Sequence, residues 1–428
     1  MTIIIDGTVG ANKAVVLDAN GKLPAIDGSL VTTLNATQVT TGSIATANID
    51  TGTTTGKVLV LDGSGAMPAI AAGAMTGVSS ATKSASDPTV STNPSTGLGT
   101  KWINTTSGEI FILTDATAGE NVWTSTGGTS GDVAPYYYGG EAYGYSMGGG
   151  PDSSATQNSR IDQYSFTSDG NGVASGSSLS ATRVYLGSVQ VQSSTDGYCH
   201  GGYAAGYLSK LDKFSFASAG TATLIGSITT AGASSSGCNS DTYGYRVGGG
   251  NPMTNVIDRW PFASDGNAVD VGDLLAAVNS PVTSTQGITY GYVFSGHPSN
   301  GTNQISKFSL VSSANAVSTT QTLTTSRSYT GGHSSQTYGY VTGGTEAAPH
   351  SDHIDKYAFD SSSNATDIGN LTYASFGHTS SSSTTYGYAA GGNTPSHKIM
   401  KFSFASDGDA TTVGDLPYIH LYAGGCHN

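Results

Sequence analysis

The sequence predicts an all-β protein, and three observations in its 428 residues support that fold class. Strand-favouring residues are common, with 23 tyrosines outnumbering the 11 phenylalanines and 3 tryptophans together, while strong helix formers are scarce. The 60 glycines and the long Ser/Thr tracts fit tight turns between short strands. A segment of the chain also repeats six times, and its tyrosines recur at fixed places, which argues against a disordered low-complexity chain.

The clearest mark of the repeat is Gly-Tyr followed shortly by a double glycine. Consecutive copies begin 47 to 53 residues apart, which suits one four-stranded blade of a β-propeller. The fourth copy has Ser295-Gly296 in place of the double glycine. The six copies lie at residues 143–149, 197–202, 243–249, 290–296, 338–344 and 386–392.

A second mark follows each double glycine and predicts the remaining strands of the repeat. It places bulky residues two apart, as in Tyr164 and Phe166, so that they project from one face of a strand. A Ser-Asp-Gly turn, a short strand and a small, hydroxyl-rich strand come next. The copies of this second mark lie at residues 161–166, 211–216, 257–262, 305–310, 354–359 and 399–404.

This pattern resembles the kelch repeat over about residues 137–428. The resemblance implies a six-bladed kelch-like β-propeller, assigned here to residues 131–428, with the Ser/Thr tract as the innermost strand of each blade. The sequence departs from kelch repeats in the outer strand, where residues such as Val271-Gly272 replace the usual tryptophan. Extra copies of one strand precede the first blade at 137–140 and end the chain at 422–426. Only one can complete the first blade, and we expect the C-terminal copy to do so, because that leaves no free edge.

The residues before the repeats predict small β-rich modules of a stalk. Residues 13–26 recur as 57–70, and the region 1–76 has too little apolar area to fold alone, so its units must pack against copies of themselves. Residues 77–97 are rich in Ser, Thr and Pro and are interpreted as a linker. Residues 98–130 predict a small three-stranded unit with two tryptophans, Trp102 and Trp123, which we expect to be too small for a core of its own.

These N-terminal motifs resemble bacteriophage tail-fibre and related virion proteins over roughly residues 1–125. The motifs are the Val-Leu-Asp-x-x-Gly-x-x-Pro-Ala unit, the Trp-x-Asn-Thr-Thr-Ser-Gly-Glu-Ile-Phe module and the Met-Thr-Ile-Ile-Ile-Asp-Gly-Thr opening. The resemblance implies a virion component, usually a homotrimer, whose N-terminus binds other virion proteins. Such a protein is made in the host cytoplasm and released by lysis, which agrees with the expected lack of a secretory signal peptide.

Charge and motifs argue against several function classes. The formal net charge is -13 and no Lys/Arg cluster occurs, so no nucleic-acid partner is expected. No stretch is apolar enough to insert into a membrane. No Gly-x-Ser-x-Gly elbow, Cys-x-x-Cys pair or phosphate loop occurs, so we expect neither enzymatic activity nor a cofactor. His350 and His353, near Asp352, allow a metal site, but a solvent-exposed loop is the favoured interpretation.

The loops after the double glycines are the predicted binding surface. They differ strongly between copies and should emerge on one face, whereas the Asp-Gly turns vary little. Unconstrained drift of exposed loops is the competing explanation. The candidate ligand-binding residues are Tyr203, Tyr207, His297, Asn300, His350 and His353.

The predicted function is that of a tail fibre or receptor-binding protein that recognises a host surface glycan or protein. Carbohydrate is the favoured ligand class, through tyrosines and amides. A purely structural virion part, such as a head fibre or spacer, is the first alternative. A glycan-acting enzyme is the second, and a pair of facing carboxylates in the mouth of the propeller would favour it.

Overall fold

All regular structure in the described residues is β-strand, which confirms the predicted fold class at that level. The computed structural model describes residues 81–126, 138–151, 157–278, 283–294, 303–345, 350–393 and 397–428. The chain divides into two units, Met1–Ala134 and Pro135–Asn428. The predicted stalk repeats at 1–76 lie outside the described residues.

Within residues 81–126, the described part of the first unit, the chain forms one four-stranded sheet. Its strands, in spatial order, are β1 (Thr82–Ser84), β2 (Lys101–Asn104), β3 (Ile110–Asp115) and β4 (Val122–Ser125). Phe111, Leu113 and Trp123 are buried, and Trp102 packs edge-on against Trp123 with ring centroids 5.8 Å apart. The expectation that this module is too small for a core of its own is therefore wrong, because the two tryptophans pack together with Phe111 and Leu113.

The sheet has one strand more than predicted, because β1 lies in the segment that we interpreted as a linker. β1 pairs in parallel with β2. The indole N–H of Trp102 donates to the carbonyl oxygen of Ser86 at 2.9 Å, and the Thr105 N–H donates to that of Ser84 at 2.6 Å. The interpretation of 77–97 as a linker is thus wrong for β1, since the polar backbone of this segment finds partners on the sheet.

The second unit contains six four-stranded sheets, numbered here in chain order. Sheet 1 joins β28 (Gly424–His427), β5 (Tyr143–Met147), β6 (Asn158–Ser165) and β7 (Val173–Arg183). Sheet 2 joins β8 (Val191–Gln192), β9 (Asp196–His200), β10 (Lys210–Ser215) and β11 (Thr223–Ser227). Sheet 3 joins β12 (Ser236–Asn239), β13 (Tyr243–Gly250), β14 (Met253–Pro261) and β15 (Val269–Val278).

The other three sheets repeat the same antiparallel order. Sheet 4 joins β16 (Thr283–Gln286), β17 (Tyr290–Phe294), β18 (Gln304–Ser309) and β19 (Val317–Thr322). Sheet 5 joins β20 (Gly331–Ser334), β21 (Tyr338–Thr342), β22 (His353–Ala358) and β23 (Thr366–Asn370). Sheet 6 joins β24 (Thr379–Ser382), β25 (Tyr386–Ala390), β26 (Lys398–Ser403) and β27 (Thr411–Asp415).

The C-terminal strand completes sheet 1, as expected from the surplus copy of this strand. β28 pairs antiparallel with β5, with Gly424 opposite Met147 and His427 opposite Gly144. The other copy takes a different place. The Gly140 N–H donates to the carbonyl oxygen of Ser382 at 2.8 Å, beside the first strand of sheet 6. The two ends of the second unit are therefore tied together by main-chain hydrogen bonds.

The glycine of each Gly-Tyr mark makes room for an aromatic ring on the neighbouring strand. In sheet 6, Gly387 pairs with Phe402, and a Cβ built on Gly387 would lie 2.3 Å from that ring. The same pairing occurs in every sheet, so the mark is a packing motif. The other pairs are Gly144 with Tyr164, Gly197 with Phe214, Gly244 with Trp260, Gly291 with Phe308 and Gly339 with Tyr357.

The tyrosine that follows this glycine packs against the next sheet. Tyr388 of sheet 6 stacks on Phe166 of sheet 1 with ring centroids 4.7 Å apart. Each sheet therefore contacts its successor, and the sixth contacts the first. The other pairs are Tyr145 with Phe216, Tyr198 with Phe262, Tyr245 with Phe308, Tyr292 with Phe359 and Tyr340 with Phe404.

Deletion of residues 420–428 tests the role of the chain end. The truncated protein should melt at a clearly lower temperature, because β5 loses the strand along one edge and Asp162 loses its contact with His420 at 2.8 Å. Calorimetry or circular dichroism on the full chain and the truncated chain measures the difference. Equal melting temperatures would show that the terminal strand does not hold sheet 1.

Substitution of Gly387 by alanine tests the packing of the ring over glycine. We expect a loss of about 1–3 kcal/mol in the free energy of unfolding, as for other overpacked cores. Gly220→Ala is the matched control, because a Cβ at Gly220 meets no atom within 4 Å. Denaturant unfolding of both variants gives the comparison, and equal stabilities would contradict the packing explanation.

Candidate functional site

In the sheets whose loops are described, the chain entering the first strand and the loop after the double glycine lie side by side on one face of the second unit. This follows from the antiparallel pairing of the first two strands, since the second strand ends where the first begins. Isolated bridges join the two segments, as between Val184 and Tyr203 and between Ala233 and Asn251. We call this surface the loop face, and it is where the sequence predicts binding.

Buried ion pairs fix the segments that enter the innermost strands. The Arg183 guanidinium donates to the Asp212 carboxylate at 2.6 Å, and both side chains are fully buried. Arg327 forms the same contact with Asp355 at 2.8 Å. The Ser180 hydroxyl also donates to Asp212 at 2.8 Å, so this carboxylate is held by more than one donor. Each ion pair fixes the backbone two residues before a tyrosine of the loop face, Tyr185 after Arg183 and Tyr329 after Arg327.

Three tyrosines at these entries have left-handed backbone conformations. Tyr185, Tyr329 and Tyr422 have φ angles of 57°, 56° and 55°, which are uncommon for residues other than glycine. The ring of Tyr422 lies 4.9 Å from that of Tyr185 and 5.1 Å from that of Tyr329, measured between centroids. Burial raises the pKa of Tyr329 and Tyr422, because a phenolate in this position would lose its hydration.

These rings belong to a larger group that we call the aromatic cluster. Phe376 lies 5.9 Å from Tyr422 and 6.0 Å from Tyr329. Tyr203 lies 6.5 Å from Tyr185, and Tyr207 lies 5.4 Å from Tyr203. The sheets bring these residues together from distant parts of the sequence. The cluster consists of Tyr185, Tyr203, Tyr207, Tyr329, Phe376 and Tyr422.

A cavity of about 500 Å³ opens beside the aromatic cluster. Four of the cluster's tyrosines line it, together with the side chains of Gln157, Ser234 and Asn251. Its volume is within the range of small-molecule sites. Among the described residues that line it, none is Asp, Glu, Lys, Arg or His. The lining can therefore offer ring faces, phenol hydroxyls and amides to a ligand.

The structure places two of the six predicted site residues in the cavity, two outside it, and does not describe the other two. Tyr203 and Tyr207 both line the cavity, and 47% of Tyr207 is exposed. His350 lies elsewhere on the loop face, with its ring 4.4 Å from that of Phe376. His353 belongs to β22, and its Nδ1 lies 4.0 Å from Asp367 on the outermost strand. His297 and Asn300 lie outside the described residues.

The geometry gives no support to a metal site at His350 and His353. One imidazole packs on an aromatic ring and the other faces the outer strand. In the part of the chain that the structure describes, no group of three or more His, Cys, Asp or Glu side chains could hold a metal ion. The favoured interpretation of an exposed loop holds for His350, while His353 is a strand residue.

The sequence contains a signal for the residues of the cluster that our prediction did not include. Arg or His stands two positions before tyrosine at 183–185, 327–329 and 420–422, each time just ahead of an innermost strand. The basic residue binds a buried Asp, and the tyrosine joins the cluster. The predicted repeat pattern included the hydroxyl-rich strand but not the residues just before it, so these tyrosines were missed.

Comparison with known proteins assigns no relatives to this chain. A scan against protein-family models finds no family that matches, and a search of curated proteins finds no match. Within the described ranges, no helix has the length and hydropathy needed to span a membrane. The site must therefore be interpreted from its own geometry.

Proposed function

We propose that the second unit is a six-bladed kelch-like β-propeller. The six four-stranded sheets follow one another in chain order, and a tyrosine of each sheet packs on an aromatic ring of the next, with sheet 6 packing back on sheet 1. The first strands of neighbouring sheets also contact one another around a cycle that includes β28 with β8. These contacts support a ring of blades whose innermost strands surround one axis.

The proposed function is that of a bacteriophage virion appendage, either a tail fibre or another receptor-binding protein. Its N-terminal region attaches it to other virion proteins, as the resemblance of residues 1–125 implies, and its loop face recognises a ligand on the host surface. The observation that carries the recognition step is the cavity lined by four tyrosines and two amides. Tyrosine supplies rigid, amphipathic contact area at low entropic cost, and amides supply directional hydrogen bonds.

Carbohydrate is the ligand class that this lining favours. Sugar rings present apolar C–H faces to aromatic rings and hydroxyls to amides, and the cavity offers both kinds of partner. A host surface protein is the other partner class for the same face. A purely structural role, as a head fibre or spacer, remains the alternative if the loop face binds nothing.

A glycan-acting enzyme is the second alternative. It would need two facing carboxylates in the mouth of the propeller. The described lining of the cavity holds no Asp or Glu, so the cavity supplies no observation in favour of that chemistry. Binding without turnover is therefore the function proposed.

Removal of the cavity tyrosines tests the recognition step. We expect the double variant Tyr203→Ala, Tyr207→Ala to lose at least ten-fold in attachment of the fluorescently labelled chain to bacterial cells, because both rings line the cavity. Tyr143→Ala is the matched control, since Tyr143 is 38% exposed at the start of β5, away from the loop face. Attachment that is equal in wild type and double variant would favour the structural alternative.

Light scattering tests the proposed homotrimer. The full chain should have three times its mass of 43.1 kDa, while residues 130–428 alone should be monomeric. The reason is that residues 1–76 are too poor in large apolar side chains to fold singly, whereas the six sheets bury aromatic cores of their own. A trimeric 130–428 fragment would contradict the assignment of assembly to the stalk.

A further inference from the structure

The cavity on the loop face restricts the chemistry of its ligand beyond the class of carbohydrate. We propose that it binds a neutral sugar residue, one that carries no carboxylate, phosphate or sulfate group. This inference rests on the proposed receptor-binding function and adds the specificity of the site.

The rings of the cavity form two successive corners. Tyr185 and Tyr203 meet at an interplanar angle of 69°, and Tyr203 and Tyr207 meet at 66°. Rings set edge to face in this way expose the face of one ring beside the edge of the next. The electron-rich face of an aromatic ring attracts the polarised C–H groups on the apolar side of a pyranose. The walls thus match a flat, C–H-bearing ring.

The polar groups of the cavity match hydroxyls. The side-chain amides of Gln157 and Asn251 make no hydrogen bond to any described residue, so their donors and acceptors are available to a ligand. The backbone beneath Asn251 is fixed, because the Ala233 N–H donates to its carbonyl oxygen at 2.9 Å. An amide both donates and accepts, as a sugar hydroxyl does. Two amides on a fixed backbone can therefore orient a ring against the tyrosines.

The described lining of the cavity offers no charge to an acidic sugar. It contains no Lys, Arg or His, and the guanidinium groups of Arg183 and Arg246, on strands beside the lining segments, are fully buried and face Asp212 and Asp258. The chain carries a formal net charge of -13, which repels anions at long range. An acidic sugar would lose water around its charge and find no cation among the described residues of the lining.

The lining is held in place before a ligand binds. Among the described residues, six other than glycine have positive φ, and five of them lie on the loop face, namely Tyr185, Ala205, Ser234, Tyr329 and Tyr422. Three of the five line the cavity, on segments that enter sheets 2, 3 and 5. Unusual backbone conformations of this kind persist where the surrounding structure over-determines them, and they cluster at ligand sites. A fixed lining lowers the entropic cost of binding a small, rigid ring.

Ligand-observed NMR and calorimetry on the full chain test the proposal. The probes are the methyl glycosides of glucose, galactose and mannose, compared with glucuronic acid and N-acetylneuraminic acid. We expect at least one neutral glycoside to bind and both acids to bind at least ten-fold more weakly. The variants Tyr203→Ala with Tyr207→Ala, and Asn251→Leu, should each lower the affinity for that glycoside at least ten-fold. Tyr143→Ala should leave it unchanged.

The outcomes separate this proposal from the function on which it rests. Equal or tighter binding of an acid would overturn it, as would neutral-sugar binding that survives both cavity variants. Cell attachment that depends on Tyr203 and Tyr207, while neutral glycosides neither bind nor compete, would overturn the sugar specificity and leave receptor binding standing. Neutral-glycoside binding that the variants abolish, without any cell attachment, would support the cavity's specificity and contradict the receptor-binding function.

Discussion

The stacking of one tyrosine from each sheet onto the next sheet is the interaction on which the second unit depends. A single four-stranded sheet of this size buries too little apolar area to be stable alone. In the sheet 6 to sheet 1 contact, Tyr388 stacks on Phe166 with centroids 4.7 Å apart, and Tyr164 lies beside them. Such aromatic pairs contribute about 0.5–1.5 kcal/mol each beyond the area they bury. Five of the six inter-sheet contacts are stacked in this way, and between sheets 3 and 4 Tyr245 packs on Phe308 at an interplanar angle of 60°, so the six cores support one another.

The buried ion pairs hold the segments of the loop face in fixed positions on the packed sheets. Arg183 with Asp212 and Arg327 with Asp355 stand where the chain crosses from the outer strand of one sheet to the first strand of the next. Breaking one partner of such a pair generally costs about 3–5 kcal/mol, because the other charge stays buried. The crossing segments are therefore held firmly enough to keep Tyr185 and Tyr329 in left-handed conformations. Rigidity of the site comes from the ion pairs beneath it.

On the face opposite the loop face, the turns that follow the third strands form ion pairs between neighbouring sheets. This contact explains why these turns vary little. Lys401 bonds to Asp169 in the Asp-Gly turn of the following sheet, and Lys356 bonds to Asp407 in the same way at 2.7 Å. These exposed pairs contribute only about 0–1 kcal/mol each, but they need the same turn geometry in neighbouring sheets. Among the described residues, the loops after the double glycines form no lysine–aspartate pair of this kind with the next sheet. One face can thus vary while the other preserves the spacing of the sheets.

The sequence by itself determined the strands of the six repeats, the number of copies and the return of the chain end to sheet 1, because these follow from local patterns, whereas β1 was missed. Gly387 and Phe402, for example, belong to the repeated sequence pattern, and in the structure they form a packed pair. It also placed Tyr203 and Tyr207 among the loops of the predicted binding surface. Only the tertiary structure decided that Tyr185, Tyr329 and Tyr422 join them, and that His353 does not. The physical reason is that Tyr185 and Tyr422 are more than 200 residues apart in the sequence. These rings meet only because different sheets bring them to the same face, and a local sequence pattern carries no information on such a contact.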